Sequence, residues 1–157
     1  MRKAGILAGA LAIAASTIFG ASVTASADEL PRPGFPAASK VLEENVIEVT
    51  DANYEEVLAK SNEKLVIFDF GATWCPPCQE MKPVIDKLAK EGADAGKWIL
   101  ATVDVDATTV DDKYNIEYIP TLIPVRKTVE HPDSRHVGYD GDAAALEQYI
   151  KDQIAKG

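Results

Sequence analysis

The chain reads as an α/β protein built in three layers, with a central mixed sheet and helices on both faces. Three observations predict this. "KLVIFDF", Lys64–Phe70, is apolar on both faces, as a strand in the middle of a covered sheet must be. The segments on either side carry helical spacing: Tyr54, Val57 and Leu58 before it, and Met81, Val84, Ile85 and Leu88 after it. Finally, a chain of 157 residues with 46% hydrophobic and 26% charged content suits one globular domain with a tail rather than two full domains.

In chain order, residues 1–27 have the layout of a secretory signal peptide. Arg2 and Lys3 supply a positive start, Ala4 to Ile18 is an uncharged run of small and apolar residues, and Ala25-Ser26-Ala27 offers a cleavage site before Asp28. The alternative is an uncleaved membrane anchor, but the run is rich in Ala and Gly rather than Leu and ends in that site. No Cys follows it, which excludes a lipoprotein anchor. Export to the periplasm or the medium is therefore expected. Residues 28–40, rich in Pro and small residues, read as an extended linker, and 41–157 as the folded domain.

Within the domain, "NVIEVT" (Asn45–Thr50) is a strand, followed by a helix over "DANYEEVLAKS" with Asp51 as its expected cap. The apolar strand comes next, then a helix reaching to about Glu91. "KWILATVDVD" (Lys97–Asp106) is a further strand, and Thr108 to Tyr114 a short helix. "TLIPV" (Thr121–Val125) and "SRHVGY" (Ser134–Tyr139) are expected to pair antiparallel. A last helix starts near Asp142 and turns Leu146, Tyr149, Ile150 and Ile154 inward.

The charge balance excludes some partners. Lys+Arg 16 against Asp+Glu 25 gives a formal net charge of -9, and losing Arg2 and Lys3 with the leader leaves the rest more acidic still. Nucleic acid and anionic membrane surfaces favour basic patches, so neither is expected to bind. Any membrane contact would come only through an uncleaved leader.

The chain's two cysteines, Cys75 and Cys78, stand two residues apart where the central strand gives way to a helix. Stapling explains them poorly, because a crosslink stabilises by closing a loop and this loop is nearly the smallest possible. Reactivity explains them better. Only a thiolate attacks, and a helix N-terminus, with unpaired N–H groups and the positive end of the dipole, favours an anion. Cys75 falls at that terminus and Cys78 one turn further in. Cys75 is thus expected to be the exposed nucleophile, and Cys78 the shielded thiol that resolves a mixed disulfide. Pro76 and Pro77 fit a first helical turn, yet Pro76 removes a donor that would have faced the sulfur. With one donor fewer, the Cys75 thiolate is less stabilised and the couple more reducing.

Asp69 sits in the same strand, on one face with Leu65 and Ile67, while Val66, Phe68 and Phe70 take the other. A carboxylate there is costly unless neutral, paired or useful, and burial raises its pKa. Near a dithiol, such an acid suits a general base that takes the proton of Cys78.

"FDFGATWCPPCQEMKPVIDKLAKE" resembles the active-site segment of thioredoxins, and the resemblance extends from about Val46 to the C-terminus. Trp74 stands directly before the first Cys, Pro83 falls where the family kinks this helix, and "YIPT", Tyr118–Thr121, matches the cis-proline loop. The resemblance implies a thioredoxin fold and a cis peptide at Pro120. It implies that Ile119 and Pro120 present backbone to an extended substrate beside Cys75, that Trp74 forms part of an apolar rim, and that the glycine at 138 borders the groove. There are departures. Cys-Pro-Pro-Cys is similar to the sequence of tryparedoxins and nucleoredoxins rather than to the commoner Cys-Gly-Pro-Cys. Gly71 and Thr102 occupy places where the family commonly has an aromatic and a lysine, and the usual strand-turn-strand glycine is missing from "RKTVEHPDSRH".

The expected function is thiol–disulfide exchange with protein substrates outside the cytoplasm. Catalysis falls to Cys75, Cys78 and Asp69, and substrate binding to Trp74, Ile119 and Pro120. No cofactor is expected beyond the redox-active disulfide Cys75–Cys78, though a separate redox partner must recharge it. The expected state is a monomer, and the expected direction is reduction, since no His lies between the cysteines to favour an oxidant. One alternative is copper delivery by the two thiolates with one His; His131 and His136 lie far along the chain and have no usable ligand spacing. Another is a chaperone-like binding module without catalysis.

Overall fold

A computed structural model describes residues 45–157. The expected leader and linker, and the domain start at 41, lie outside the described residues. Six strands and four helices follow one another as β1 (Val46–Val49), α1 (Tyr54–Lys60), β2 (Leu65–Gly71), α2 (Pro76–Glu91), β3 (Trp98–Asp104), α3 (Val110–Tyr114), β4 (Thr121–Arg126), β5 (Val129–Glu130), β6 (His136–Val137) and α4 (Ala143–Ala155).

The sheet is mixed, in the order β1-β3-β2-β4-β5, with β6 also on β4. β1 and β2 run parallel to β3, and β4 runs antiparallel to β2. Side-chain alternation along β2 divides the core. Val66, Phe68 and Phe70 face α1 and α3, packing with Val57, Val110 and Tyr114. Leu65 and Ile67 face α2 and α4, packing with Met81, Ile85, Leu146 and Ile150. β2 is thus buried on both sides, which accounts for its continuous apolar run. Trp98, at the start of β3, is the largest fully buried side chain and anchors the α2/α4 layer. Asp142 caps α4, its carboxylate accepting from the N–H groups of Ala144 at 2.9 Å and Ala145 at 3.0 Å, a contact of about 1 kcal/mol.

Two local expectations are corrected. Asp51 does not cap α1; Asn53 holds that position, and the Asp51 carboxylate instead accepts from the N–H of Thr109 at 2.9 Å and its hydroxyl at 3.0 Å. The cap is spent across the fold, on the residue that precedes α3. In addition, β4 pairs with two short strands rather than one, β6 at Thr121 and Leu122 and β5 at Val125 and Arg126. The β4–β5 turn is made without glycine: Lys127 and Thr128 both sit at positive φ, 51° and 62°. Side chains adopt that region reluctantly. Buried Ser61 holds them there, its carbonyl accepting from the Lys127 N–H at 2.7 Å and its hydroxyl from the Thr128 N–H at 2.8 Å.

Candidate active site

The site forms at the carboxyl end of β2. Phe70 pairs with Thr121, so the segment leaving β2 and the segment entering β4 meet at one edge of the sheet. The first carries Trp74, Cys75 and Cys78; the second carries Tyr118, Ile119 and Pro120. Segments far apart in the chain are brought together by one antiparallel register.

Cys75 is the N-cap of α2, and its Sγ accepts the N–H of Cys78 at 3.3 Å. Pro76 and Pro77 occupy the first two helical positions and have no N–H to offer. Cys78 therefore supplies the first donor of the helix, and that donor is aimed at the sulfur. The two cysteines are joined in a disulfide, with Cα atoms 5.3 Å apart. Both are buried in the oxidised pair, Cys75 3% exposed and Cys78 9%, so the expected contrast between an exposed Cys75 and a shielded Cys78 is not seen. Both pack in one cluster with Ala72, Val105 and Ile119, and Cys78 also borders a cleft.

That cleft, about 440 Å³, lies under the first turns of α2, with Asp69, Gly71, Cys78, Lys82 and Thr102 among its walls. Asp69 is partly buried on the wall shared with Cys78, and desolvation raises its carboxyl from 3.8 to about 7, against an opposing pull from Lys82. Thr102 stands opposite Asp69, where the family commonly has a lysine. The strand supplies no cation there, but Lys82, one helical turn beyond Cys78, does so from α2. Its ammonium is shared with Asp86 at 3.1 Å, and Asp86 pushes the Asp69 carboxyl back up. Burial remains the largest cause.

The Ile119–Pro120 peptide is cis. The Pro120 carbonyl accepts from Gly138 N–H at 2.8 Å, and the Tyr118 carbonyl accepts from the Thr121 hydroxyl at 2.7 Å, which tethers the loop on both sides of Ile119. Gly138 sits at φ +84 with open space where a Cβ would point. Two features escaped sequence reasoning. Trp74, 64% exposed, donates its indole N–H to Asp106 at 2.5 Å, which holds the ring at the rim. Tyr118, 69% exposed, adds a second aromatic on the opposite loop; its place directly before the Ile119–Pro120 pair was the signal available. His131 follows β5, and His136 lies on β6 opposite Leu122, its ring 4.9 Å from that of Tyr149. Among the described residues no group of three or more His, Cys, Asp or Glu is placed to hold a metal ion.

The arrangement is suited to disulfide exchange: a sulfur with a helix-terminal donor, a second sulfur one turn away, and a high-pKa carboxyl beside the second. The thioredoxin family model matches residues 45–152. Thioredoxin of Mycobacterium tuberculosis is 38% identical over 103 residues, 65% of this chain and 84% of the relative. A bifunctional thioredoxin reductase/thioredoxin of Mycobacterium leprae is 38% identical over 101 residues, 64% of this chain and 21% of that longer protein. Among solved structures, the reduced thioredoxin pre-protein of Schistosoma mansoni superposes with a TM-score of 0.58 at 35% identity, covering 69% of this chain and 97% of that one. With the family model covering residues 45–152, more than half of the sequence, the chain belongs to the thioredoxin family and is a protein-disulfide oxidoreductase.

Proposed function

We propose that the protein works outside the cytoplasm as a reductase of protein disulfides. Cys75 attacks the substrate disulfide, Cys78 resolves the mixed intermediate, and Asp69 takes the Cys78 proton. Trp74, Ile119 and Pro120 hold the substrate as an extended strand, much as a sheet edge accepts a partner. The observation that carries this reading is the Cys78 N–H aimed at Cys75 Sγ from 3.3 Å, because it stabilises one sulfur as attacking thiolate and as leaving group. The reducing direction is supported by Pro76 and Pro77, which withhold two further donors from that thiolate. A separate reductase recharges the dithiol, a role for which the fused reductase of the Mycobacterium leprae relative is the precedent.

Equilibrium titration against a glutathione buffer tests the direction. The expected potential is near that of thioredoxins, about −270 mV; a value above about −200 mV makes the protein an oxidant or isomerase. Pro76→Gly, by restoring a donor, is expected to raise the potential by about 10–20 mV. Export is checked on protein recovered outside the cytoplasm, whose first residue is expected to be Asp28; an intact Met1 in a membrane fraction points to a retained anchor.

A further inference from the structure

The cleft beneath α2 bears on which sulfur a small molecule reaches. It is lined by Cys78 and not by Cys75. Gly71 forms part of its wall, and a Cβ built there would meet the Cβ and Sγ of Cys78, each at 3.5 Å. A longer side chain would project from that point toward the sulfur and the space beside it. With no side chain at Gly71, the cleft reaches the wall formed by Cys78. Glu48, Asp104 and Asp69 also line the cleft, facing a single cation, Lys82, which is already shared with Asp86. The cleft's volume, about 440 Å³, exceeds that of a small thiol.

We propose that this cleft is a second entrance to the dithiol, through which small cationic aminothiols reduce the enzyme's own disulfide by attack at Cys78. The aminothiol thiolate attacks Cys78 Sγ, forming a mixed disulfide there as the Cys75–Cys78 bond breaks. The electron pair leaves on Cys75 Sγ, the sulfur already capped by a helix N–H, and a better-stabilised thiolate leaves faster. A second aminothiol thiolate attacks the outer sulfur of the mixed disulfide, releasing a small-molecule disulfide and the Cys78 thiolate, which takes a proton from Asp69 or water. Two thiols are oxidised and one protein disulfide is reduced. Protein substrates use the Trp74 and Ile119–Pro120 side and Cys75; aminothiols use the opposite side and Cys78. The inference rests on the disulfide being exchangeable and is independent of export and of the direction of flow.

The test uses the oxidised full-length protein with cysteamine, and with 3-mercaptopropionate as an anionic thiol of similar size. Rates are taken per thiolate and divided by those on free hydroxyethyl disulfide. Cysteamine is expected to be favoured about tenfold, equivalent to about 1.4 kcal/mol. Iodoacetamide quenching and tandem mass spectrometry then locate the adduct, expected on Cys78 with Cys75 alkylated. Gly71→Val is expected to lower the ratio of cysteamine rate to single-turnover insulin reduction at least tenfold. Gly71→Ala, whose Cβ makes only ordinary contacts, keeps the fold and lowers that ratio about threefold. An adduct on Cys75, or an unchanged ratio in both variants, overturns the second entrance. A disulfide that dithiothreitol itself cannot open overturns the oxidoreductase reading instead.

Discussion

Cys75→Ser is expected to abolish disulfide reduction, lowering turnover of insulin by more than about 1000-fold, because a serine hydroxyl does not ionise near neutral pH and cannot attack a disulfide. Cys78→Ser is expected to behave differently. It leaves the attacking sulfur in place and removes the one that resolves, so a substrate mixed disulfide accumulates on Cys75 to about one equivalent. Non-reducing mass spectrometry after a single turnover distinguishes the two. The assignment follows from the helix: the N–H of Cys78 points at Cys75 Sγ from 3.3 Å, while Cys78 lies within the first turn and receives no such cap. Accumulation of the protein-substrate adduct on Cys78 in Cys75→Ser, at the rate seen for Cys75 in Cys78→Ser, would reverse the two roles.

Asp69→Asn is expected to stabilise the protein at alkaline pH while slowing its chemistry. Burial raises the folded carboxyl from 3.8 to about 7, whereas the unfolded chain keeps the ordinary value. Below pH 3.8 both states hold the proton and Asp69 imposes no penalty. Between 3.8 and 7 the unfolded state releases its proton and the folded state retains it, so stability falls as pH rises. Above 7 the whole penalty is present, about 2–4 kcal/mol for a shift of this size in a partly buried group. Urea unfolding of wild type and Asp69→Asn at pH 4 and pH 8 is expected to show the variant's advantage appearing only at the higher pH. The same variant is expected to slow mixed-disulfide resolution at pH 7 on the order of 10- to 100-fold, toward the lower end of what a general base contributes, since partial ionisation of Cys78 provides a bypass. Equal stability at pH 8 would mean that the carboxyl is well solvated, and its role as a base would lose its basis.

Much of this architecture is legible in the residues because it is local. The two apolar faces of β2 and the helical spacing of Met81, Ile85 and Leu88 report elements whose periodicity is set by the backbone. Asp142 before α4 and Cys75 before α2 are caps, and a cap involves only residues a few positions away. The same reasoning failed for Asp51, whose carboxylate reaches across to Thr109. It also failed for the β4–β5 turn, where Lys127 and Thr128 contain no hint of their positive φ until buried Ser61 is seen beside them.

By itself the amino-acid order determined the layers, the strand that leads to the dithiol, the sulfur at the start of a helix and the acid on the same strand. Only the packed structure decided which cysteine borders the cleft, that Lys82 supplies a cation near Asp69, that Asp106 holds the Trp74 ring, and that Gly71 forms the cleft wall beside Cys78. The division has a physical cause. Hydrogen-bond periodicity and capping act over a few residues and leave a trace in the order of side chains, whereas desolvation, long-range charge and empty volume depend on whatever neighbours the sheet register brings together.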